Sequence, residues 1–379
     1  MRTVYLDHAA TTPVRPEVID VMVNVLTEAF GNPSSGHQFG RPVRKLIEQA
    51  RQQTAQAINA RPQEVFFTSG GTEADNLAIL GAARANANRG KHLITNTIEH
   101  HAVLDAFSHL KREGFEVTVL PVDEYGFVSI ETFLKALRED TVLVSIMHAN
   151  NEIGTINPIA EIGCICREQG ILFHTDAVQS VGKIPVDVQA LNVDLLTLTG
   201  HKIYGPKGVG ALYVRGGVQI APLVHGGGQE KAIRPGTENV TGIVALGKAL
   251  EVAVEELEEE SKRLAGLRDN LIQGVMDGIP NSRLNGHPTE RLPHNVNFSF
   301  PGLDGQMLIQ QLERKGIAAS AGSACTSDSV EPSHVLRGIG LERGTALGSV
   351  RLSLGKSTTE EDIDYVIAQL KESVALLQR

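Results

Sequence analysis

Lys202 is the residue of this chain whose position points most directly to covalent chemistry. It follows Gly200 and His201 at the end of an apolar run, 193–198. The run predicts a short buried strand, and the glycines that come next predict a turn before a second strand over 211–214. Lys202 would then lie at the carboxyl edge of a strand, where open α/β sheets bind their ligands. A lysine there can form a Schiff base with a carbonyl group, although a lone strand-end lysine is more often a solvated surface residue.

Asp176 supplies an acidic partner at a second strand end. It closes the predicted strand 171–175, and Gln179 follows three residues later. A carboxylate at this position can pair with the protonated ring nitrogen of pyridoxal phosphate and keep the ring an electron sink. Because an adjacent cation lowers the pKa of an aspartate by roughly 1 to 3 units, we expect Asp176 to stay ionised. The alternative is that Asp176 caps the start of a helix.

A glycine turn between a predicted strand, 64–68, and an apolar run, 77–83, predicts an anion site. Gly71 lets the backbone approach a phosphate, the helix start offers unpaired N–H groups, and Thr72 adds a hydroxyl. Thr72 with Asp75 also fits a capping box, which would explain the same residues structurally.

His100 follows the predicted strand 93–96 and opens a helix. An imidazole at this point could lie flat on a pyridine ring and move protons. The alternative is that His100 and His101 are both exposed residues of the helix start. Since they are adjacent, we expect at most one of them to serve the site.

The motifs of the chain, taken jointly, resemble those of the class I cysteine desulfurases, the NifS/IscS-like enzymes. The resemblance runs essentially from end to end, and the segments that carry it are 5–13, 31–35, 69–73, 147–154, 176–179 and 200–202. It implies a fold-type I pyridoxal phosphate enzyme that forms a homodimer. It also implies that the enzyme takes sulfur from L-cysteine, releases L-alanine and holds the sulfur as a persulfide on a cysteine.

Cys325 is the cysteine that the resemblance selects, and it lies in a segment of small residues, 318–329. A nucleophile that must reach the substrate and then carry sulfur away needs a mobile tether, which such a segment can provide. An unperturbed cysteine is only a few per cent thiolate at neutral pH, so its attack needs help from the proton chemistry of the site. The alternative is a free cysteine acting as a small apolar residue.

The resemblance also assigns the other roles. Lys202 would hold the cofactor and move protons, and Arg351, on a predicted strand over 349–354, would clamp the substrate carboxylate by two parallel hydrogen bonds, with Asn151 as second contact. Thr237 would contact the cofactor phosphate from the second subunit. The full set of implied cofactor contacts is Gly71, Thr72, His100, Asn151, Asp176, Gln179, Thr199, His201, Lys202 and Thr237.

Composition narrows the class of protein. The chain has 379 residues, is 41% hydrophobic and carries a net charge of −9, which is typical of a globular protein and argues against direct nucleic-acid or membrane binding. No apolar run approaches the roughly 20 residues of a membrane helix, and no signal peptide is apparent. The 3 cysteines are too few for a disulfide framework, so we expect a cytoplasmic protein. Cys164 and Cys166 share a predicted helix on different faces, so we predict no metal site.

Strands alternate with helices from about 60 to 215, which predicts an α/β fold with a mainly parallel, helix-covered sheet. We expect this large domain to span 15–257, and a smaller α/β domain to comprise 1–14 and 258–379 and to carry the cysteine loop. Its predicted elements are a long charged helix through 255–260 toward 274, strands over 295–300 and 349–354, and a closing helix over 360–377.

Some functional alternatives stay open. A related lyase or aminotransferase could use the same fold, with selenocysteine as one other substrate, and a non-catalytic partner subunit could retain it. The sulfur acceptor is also undetermined: an iron–sulfur scaffold protein and a tRNA-thiolating enzyme both fit.

Overall fold

The structure, a computed structural model, describes residues 2–321 and 331–378. Cys325 therefore lies outside the described residues. The helices are α1 (Pro16–Glu28), α2 (Gly40–Ala57), α3 (Gly71–Ala85), α4 (His101–Arg112), α5 (Ile130–Ala136), α6 (Ile159–Glu168), α7 (Val240–Glu255), α8 (Leu257–Gly278), α9 (Gly305–Arg314), α10 (His334–Gly338), α11 (Arg343–Leu347) and α12 (Glu360–Leu377). The strands are β1 (Val4–Tyr5), β2 (Val65–Thr68), β3 (His92–Asn96), β4 (Glu116–Leu120), β5 (Thr141–Ser145), β6 (Leu172–Asp176), β7 (Leu195–Thr199), β8 (Gly210–Val214), β9 (Arg283–Leu284), β10 (Asn295–Ser299), β11 (Ile317–Ala318) and β12 (Ser349–Ser353).

The larger sheet has the strand order β2-β8-β7-β6-β5-β3-β4 within the described residues. Only β8 runs antiparallel to its neighbours in this sheet. The turn between β7 and β8 contains no crossover helix, and a parallel return would need one. The predicted α/β fold with a mainly parallel sheet is confirmed.

Both faces of this sheet are buried, as is typical of parallel sheets covered by helices. In β2, Val65 and Phe67 pack into one core with residues of α2, α6 and α7, whereas Phe66 packs into a second core with α3 and α4. The alternation follows from the two-residue period of a strand. Truncating a fully buried side chain such as Leu196 should cost roughly 2–5 kcal/mol.

A second sheet, with the order β12-β10-β9, is antiparallel and packs with α8, α9 and α12 around its own apolar core. The chain's N-terminus belongs to this region, because β1 pairs in parallel with β11. The domain boundaries at 15 and 257 stay a prediction.

The predicted long charged helix is two helices, α7 and α8, which meet at Glu256. The Glu256 carboxylate accepts hydrogen bonds from Arg15 at 2.8 and 2.9 Å and from Lys356 at 2.5 Å, so the break is fixed by contacts to distant segments. The predicted closing helix at 360–377 agrees with the bounds of α12. In the described part of the chain, no helix combines the length and apolarity that a membrane crossing requires.

Candidate active site

Parallel strands bring their carboxyl ends to one edge of a sheet, and the loops that leave this edge enclose a cavity of about 230 Å³. β6 ends at Asp176, β7 leads into the turn that holds Lys202, and α3 begins just after β2. The cavity is lined by the predicted site residues Gly71, Thr72, His100, Asn151, Asp176, Gln179, Thr199, His201, Lys202 and Arg351. Thr237 is exposed and does not line this cavity, and Cys325 lies outside the described residues.

Lys202 lies in a short 3₁₀ turn, Gly200–Lys202, and its amine faces the N-terminal segment. Nζ donates to the carbonyl oxygens of Ala9, at 2.7 Å, and Ala10, at 2.6 Å. These carbonyls orient the amine at the wall of the cavity. No sequence pattern indicated that Ala9 and Ala10 would contact it.

Asp176 is buried, and its Oδ1 accepts the backbone N–H of Val178 at 2.9 Å. Residues 178–183 form turns, so Asp176 does not cap a helix. Burial raises the pKa of Asp176, and the nearby His100 and Lys202 only partly oppose this. The expectation that Asp176 stays ionised considered the adjacent cation alone and neglected desolvation.

The glycine turn has the form of an anion cradle. Gly70 precedes α3 with φ 154° and ψ −175°, a conformation that is essentially restricted to glycine, and no side chain caps the helix. A Cβ on Gly71 would come within 3.1 Å of Val178 Cγ2, a tight contact that glycine avoids. The capping box of Thr72 with Asp75 does not form. Asp75 is instead buried beside His174, with 3.6 Å between Oδ1 and Nε2.

Three further polar side chains of the site are held by hydrogen bonds to loop residues. Gln179 donates Nε2–H to Ala9 O at 3.0 Å, and the Thr199 hydroxyl donates to Val209 O at 3.1 Å. His201 Nδ1 is 3.2 Å from the Thr11 hydroxyl oxygen. Burial, with smaller contributions from Lys202 and Lys207, lowers the pKa of His201 to about 4. His201 is therefore neutral at pH 7 and can offer one N–H and one acceptor nitrogen.

The two adjacent histidines separate as expected. His100 caps α4, where its Nδ1 accepts the Ala102 N–H at 3.1 Å, and its ring lines the cavity. This contact places the proton of neutral His100 on Nε2. His101 instead packs on His334, with ring centroids 4.6 Å apart. Burial lowers the pKa of His100, with Asp176 opposing the shift.

Arg351, from the second sheet, meets Asn151, from the turn segment that follows β5, at the cavity wall. Arg351, on β12, is 1% exposed. Its Nη1 donates to Asn151 O at 3.1 Å, and its Nη2 lies 2.9 Å from Asp7 Oδ1. The guanidinium is thus held from two sides at the cavity wall.

Two acidic residues were missed as site residues by the sequence reasoning. Asp75 lines the cavity, and burial together with the charges of Asp176 and Glu99 raises its pKa well above the usual range. Asp7 pairs with Arg351. Asp7 stands inside a motif that signalled the family, and Asp75 lies two residues after another, but only the tertiary contacts show what they touch.

Outside the site, Cys164 is exposed and Cys166 is buried on α6, and burial raises the pKa of the Cys166 thiol. Among residues 2–321 and 331–378, no group of His, Cys, Asp and Glu is arranged to hold a metal ion.

The residues present fit pyridoxal phosphate. An uncapped helix start with two glycines suits a phosphate, a buried carboxylate suits a ring nitrogen, and a lysine amine reaches the same cavity. The fold and the site together define a fold-type I pyridoxal phosphate enzyme.

Comparison with known proteins gives the family. Residues 4–366 match the aminotransferase class-V model, and the chain belongs to this family. It is 55% identical over 377 residues to the cysteine desulfurase IscS of Methanosarcina thermophila, covering 100% of this chain and 93% of that protein. A solved NifS-like protein superposes with a TM-score of 0.93 at 40% identity, over 99% of this chain and 100% of that one. SspA in complex with cysteine gives 0.83 at 39% identity, over 93% and 99%.

Proposed function

We propose that this protein is a pyridoxal phosphate-dependent cysteine desulfurase. It removes sulfur from L-cysteine, releases L-alanine and holds the sulfur as a persulfide on Cys325. The observation that carries the proposal is the single cavity lined by Lys202, Asp176 and Arg351, in a chain 55% identical to a cysteine desulfurase. The similarity to SspA in complex with cysteine supports the choice of substrate.

When bound, the cofactor supplies an electron sink for bonds at the substrate's α-carbon. Lys202 attaches the cofactor and afterwards moves protons between the substrate carbons, since its Nζ is oriented by the Ala9 and Ala10 carbonyls toward the cavity. Asp176 would pair with the ring nitrogen of the bound cofactor, and its burial would exclude water that weakens this ion pair. His100 would contact the ring and exchange protons through Nε2, and Gln179 would hydrogen-bond to the ring oxygen.

The phosphate is held by Gly71 and Thr72 at the start of α3, and by Thr199 and His201 at the end of β7. Neutral His201 contributes a hydrogen bond rather than a charge, in line with its lowered pKa. A helix N-terminus stabilises an anion without any side-chain charge. These four residues would hold the phosphate, and Asp176 would remain for the ring nitrogen.

Thr237 completes the phosphate site from the second subunit of a homodimer. In one chain this residue is exposed and lies outside the cavity, which fits a contact made to a neighbouring copy. The surface of α1 and the segment after it carries the exposed apolar side chains Val23, Leu26, Phe30 and Phe39, as a self-association surface requires. Sedimentation should give twice the mass of the chain, and Thr237→Ala should weaken cofactor binding without changing that mass.

Arg351 and Asn151 bind the substrate carboxylate. A guanidinium matches a carboxylate by two parallel hydrogen bonds, and the burial of Arg351 strengthens them. Both residues line the cavity.

Cys325 attacks the sulfur of the bound cysteine as a thiolate. The new S–S bond forms as the Cβ–S bond of the substrate breaks, the electron pair stays with the substrate carbon, and Lys202 delivers the proton that completes alanine. Ser320 pairs with Arg351 through hydrogen bonds of 2.6 and 3.1 Å. Cys325 follows five residues later, a length of chain that spans at most about 18 Å.

The sulfur then passes to an acceptor protein, either an iron–sulfur scaffold or a tRNA-thiolating enzyme, in the cytoplasm and without direct contact between this chain and nucleic acid. Labelled sulfur from cysteine, followed onto each purified acceptor, distinguishes the two.

The central test uses Cys325→Ser, which removes the sulfur nucleophile and leaves the cavity intact. After brief exposure to L-cysteine, mass spectrometry of the parent should find one added sulfur on the peptide containing Cys325. The variant should bind cysteine, shift the absorbance of bound cofactor and yield no catalytic alanine. Cys164→Ser, at an exposed cysteine, is the matched control and should behave like the parent. Sulfur found only on Cys164 or Cys166, or parental alanine release by Cys325→Ser, would refute the proposal.

A further inference from the structure

The surroundings of Arg351 show a contact that the proposed chemistry does not use. Its guanidinium has five N–H donors, of which one at Nη1 goes to Asn151 O and one at Nη2 goes to Asp7 Oδ1. Nε is buried and has no partner among the described residues. Donors therefore remain for a ligand, and the direction in which they point depends on the two existing contacts.

Asp7 is itself fixed from several sides. The Tyr5 hydroxyl donates to Asp7 O at 3.1 Å and to Thr11 O at 3.0 Å, which closes the turn between them. The backbone of Asp7 forms a bridge to Ser353, two residues along β12 from Arg351. The Asp7 side chain is 21% exposed and that of Arg351 is 2% exposed, so the pair lies at the border between the cavity and the interior.

We propose that Asp7 is a positioning residue for Arg351. Its carboxylate locks one edge of the guanidinium, so that the remaining N–H groups face the cavity in the plane that a substrate carboxylate needs. This inference rests on the proposed function, in which Arg351 binds that carboxylate. The same short segment, through Ala9 and Ala10, orients Lys202, so the N-terminal segment sets the positions of both groups that handle the amino acid.

Two effects of Asp7 on substrate binding oppose each other. Its negative charge lowers the attraction between Arg351 and an anion, whereas its hydrogen bond keeps Arg351 in one orientation. Orientation dominates because Arg351 is 1% exposed, so a released guanidinium could satisfy its donors only by turning toward other protein acceptors. A solvent-exposed arginine would lose much less free energy on losing such a contact, because water would satisfy its N–H groups.

The test compares two ligands in cofactor-loaded Cys325→Ser protein, which binds cysteine without consuming it. L-Cysteine carries the carboxylate and cysteamine lacks it. Titration is followed by the change in visible absorbance of the bound cofactor. Asp7→Ala should weaken L-cysteine binding roughly tenfold and change cysteamine binding less than about twofold. Asp7→Asn keeps an acceptor oxygen and should weaken L-cysteine binding by a smaller factor, roughly threefold.

A double-mutant cycle with Arg351→Ala tests whether Asp7 affects L-cysteine binding through Arg351. In the Arg351→Ala background, Asp7→Ala should have no further effect on L-cysteine. Equal weakening for both ligands, a persistent effect without Arg351, or tighter L-cysteine binding by Asp7→Asn would overturn the role of Asp7. If Arg351→Ala itself leaves the preference for L-cysteine over cysteamine unchanged, the proposed carboxylate clamp fails instead, and the inference fails with it.

Folding is checked in the same series. Arg2→Ala is the control, because it removes another ion pair of the N-terminal segment, with Asp362, away from the cavity. Its affinities for both ligands should equal those of the parent. Should Asp7→Ala not fold, Asp7→Asn decides the question alone, since selective weakening supports the inference and unchanged or tighter binding contradicts it.

Discussion

The cavity has two unlike walls. One is the edge of the large sheet, where each residue stands at or shortly after a strand end: Asp176 ends β6, and Lys202 lies in the turn after β7. The other is built by the N-terminal segment and β12, where Asp7 and Arg351 meet from opposite ends of the chain. The first wall follows from local sequence patterns and the second from long-range pairing. We therefore expect the first to carry the cofactor chemistry and the second to set which amino acid is accepted.

Among these substitutions, Lys202→Ala, in the first wall, should reduce turnover the most. Covalent attachment of the cofactor and a proton carrier are lost together, and proton transfer alone is worth roughly 10² to 10⁴-fold in rate. Turnover should fall by at least that factor, and the visible absorbance of lysine-bound cofactor should vanish. Lys207→Ala, at an exposed lysine of the following turn, is the control. A Lys202→Ala protein with near-parental rate and absorbance would remove this residue from the chemistry.

Asp176→Asn tests the same wall with a smaller change. A neutral amide cannot stabilise a protonated ring nitrogen, so cofactor should bind more weakly and turnover should drop by roughly 10²-fold. Equilibrium dialysis of the cofactor and the pH dependence of its absorbance measure both effects. Parental values for the two would show that another group serves the ring nitrogen.

Arg351→Ala tests the second wall. Loss of two charge-assisted hydrogen bonds to a carboxylate should raise KM for L-cysteine roughly 10- to 100-fold, with a smaller change in kcat. The affinity for cofactor should stay near the parental value, because the cofactor belongs to the other wall. If the affinity for cofactor also falls strongly, the two walls do not act separately.

Sequence patterns predicted the residues of the first wall better than those of the second. For the first, strand ends, glycine turns and helix starts are local patterns, and Asp176, Lys202 and Gly71 all line the cavity as predicted. The burial that raises the pKa of Asp176 was not predicted, because desolvation depends on what covers a side chain and no local pattern reports that. For the second wall, the motifs marked Asp7 only as part of a family signature. Its pairing with Arg351 requires the register of β12 and the path of the N-terminus.

The break between α7 and α8 was likewise invisible in the sequence, because it depends on Glu256 meeting Arg15 and Lys356. Hydrogen bonding to Arg15, followed by that to Lys356, lowers the pKa of Glu256 to about 2. A carboxyl whose pKa is depressed on folding stabilises the protein above its unfolded pKa of about 4.3, and this stabilisation is lost as the pH falls through 2. The ion pairs of Glu256 with Arg15 and Lys356 therefore stabilise the fold only above that pH range.

Glu256→Gln should accordingly have the smallest effect in this series. The Glu256 side chain is 36% exposed, so solvent screening reduces the contribution of the network to about 1 kcal/mol. Urea unfolding at pH 7 should show a loss of that size, and the difference from the parent should narrow as the pH is lowered from 5 toward 2. Glu259→Gln, one turn into α8 and outside this network, is the control. KM for L-cysteine should not change, because Glu256 touches neither wall. A rise in KM would mean that the helix break helps to set the position of the N-terminal segment, and with it the orientation of Arg351.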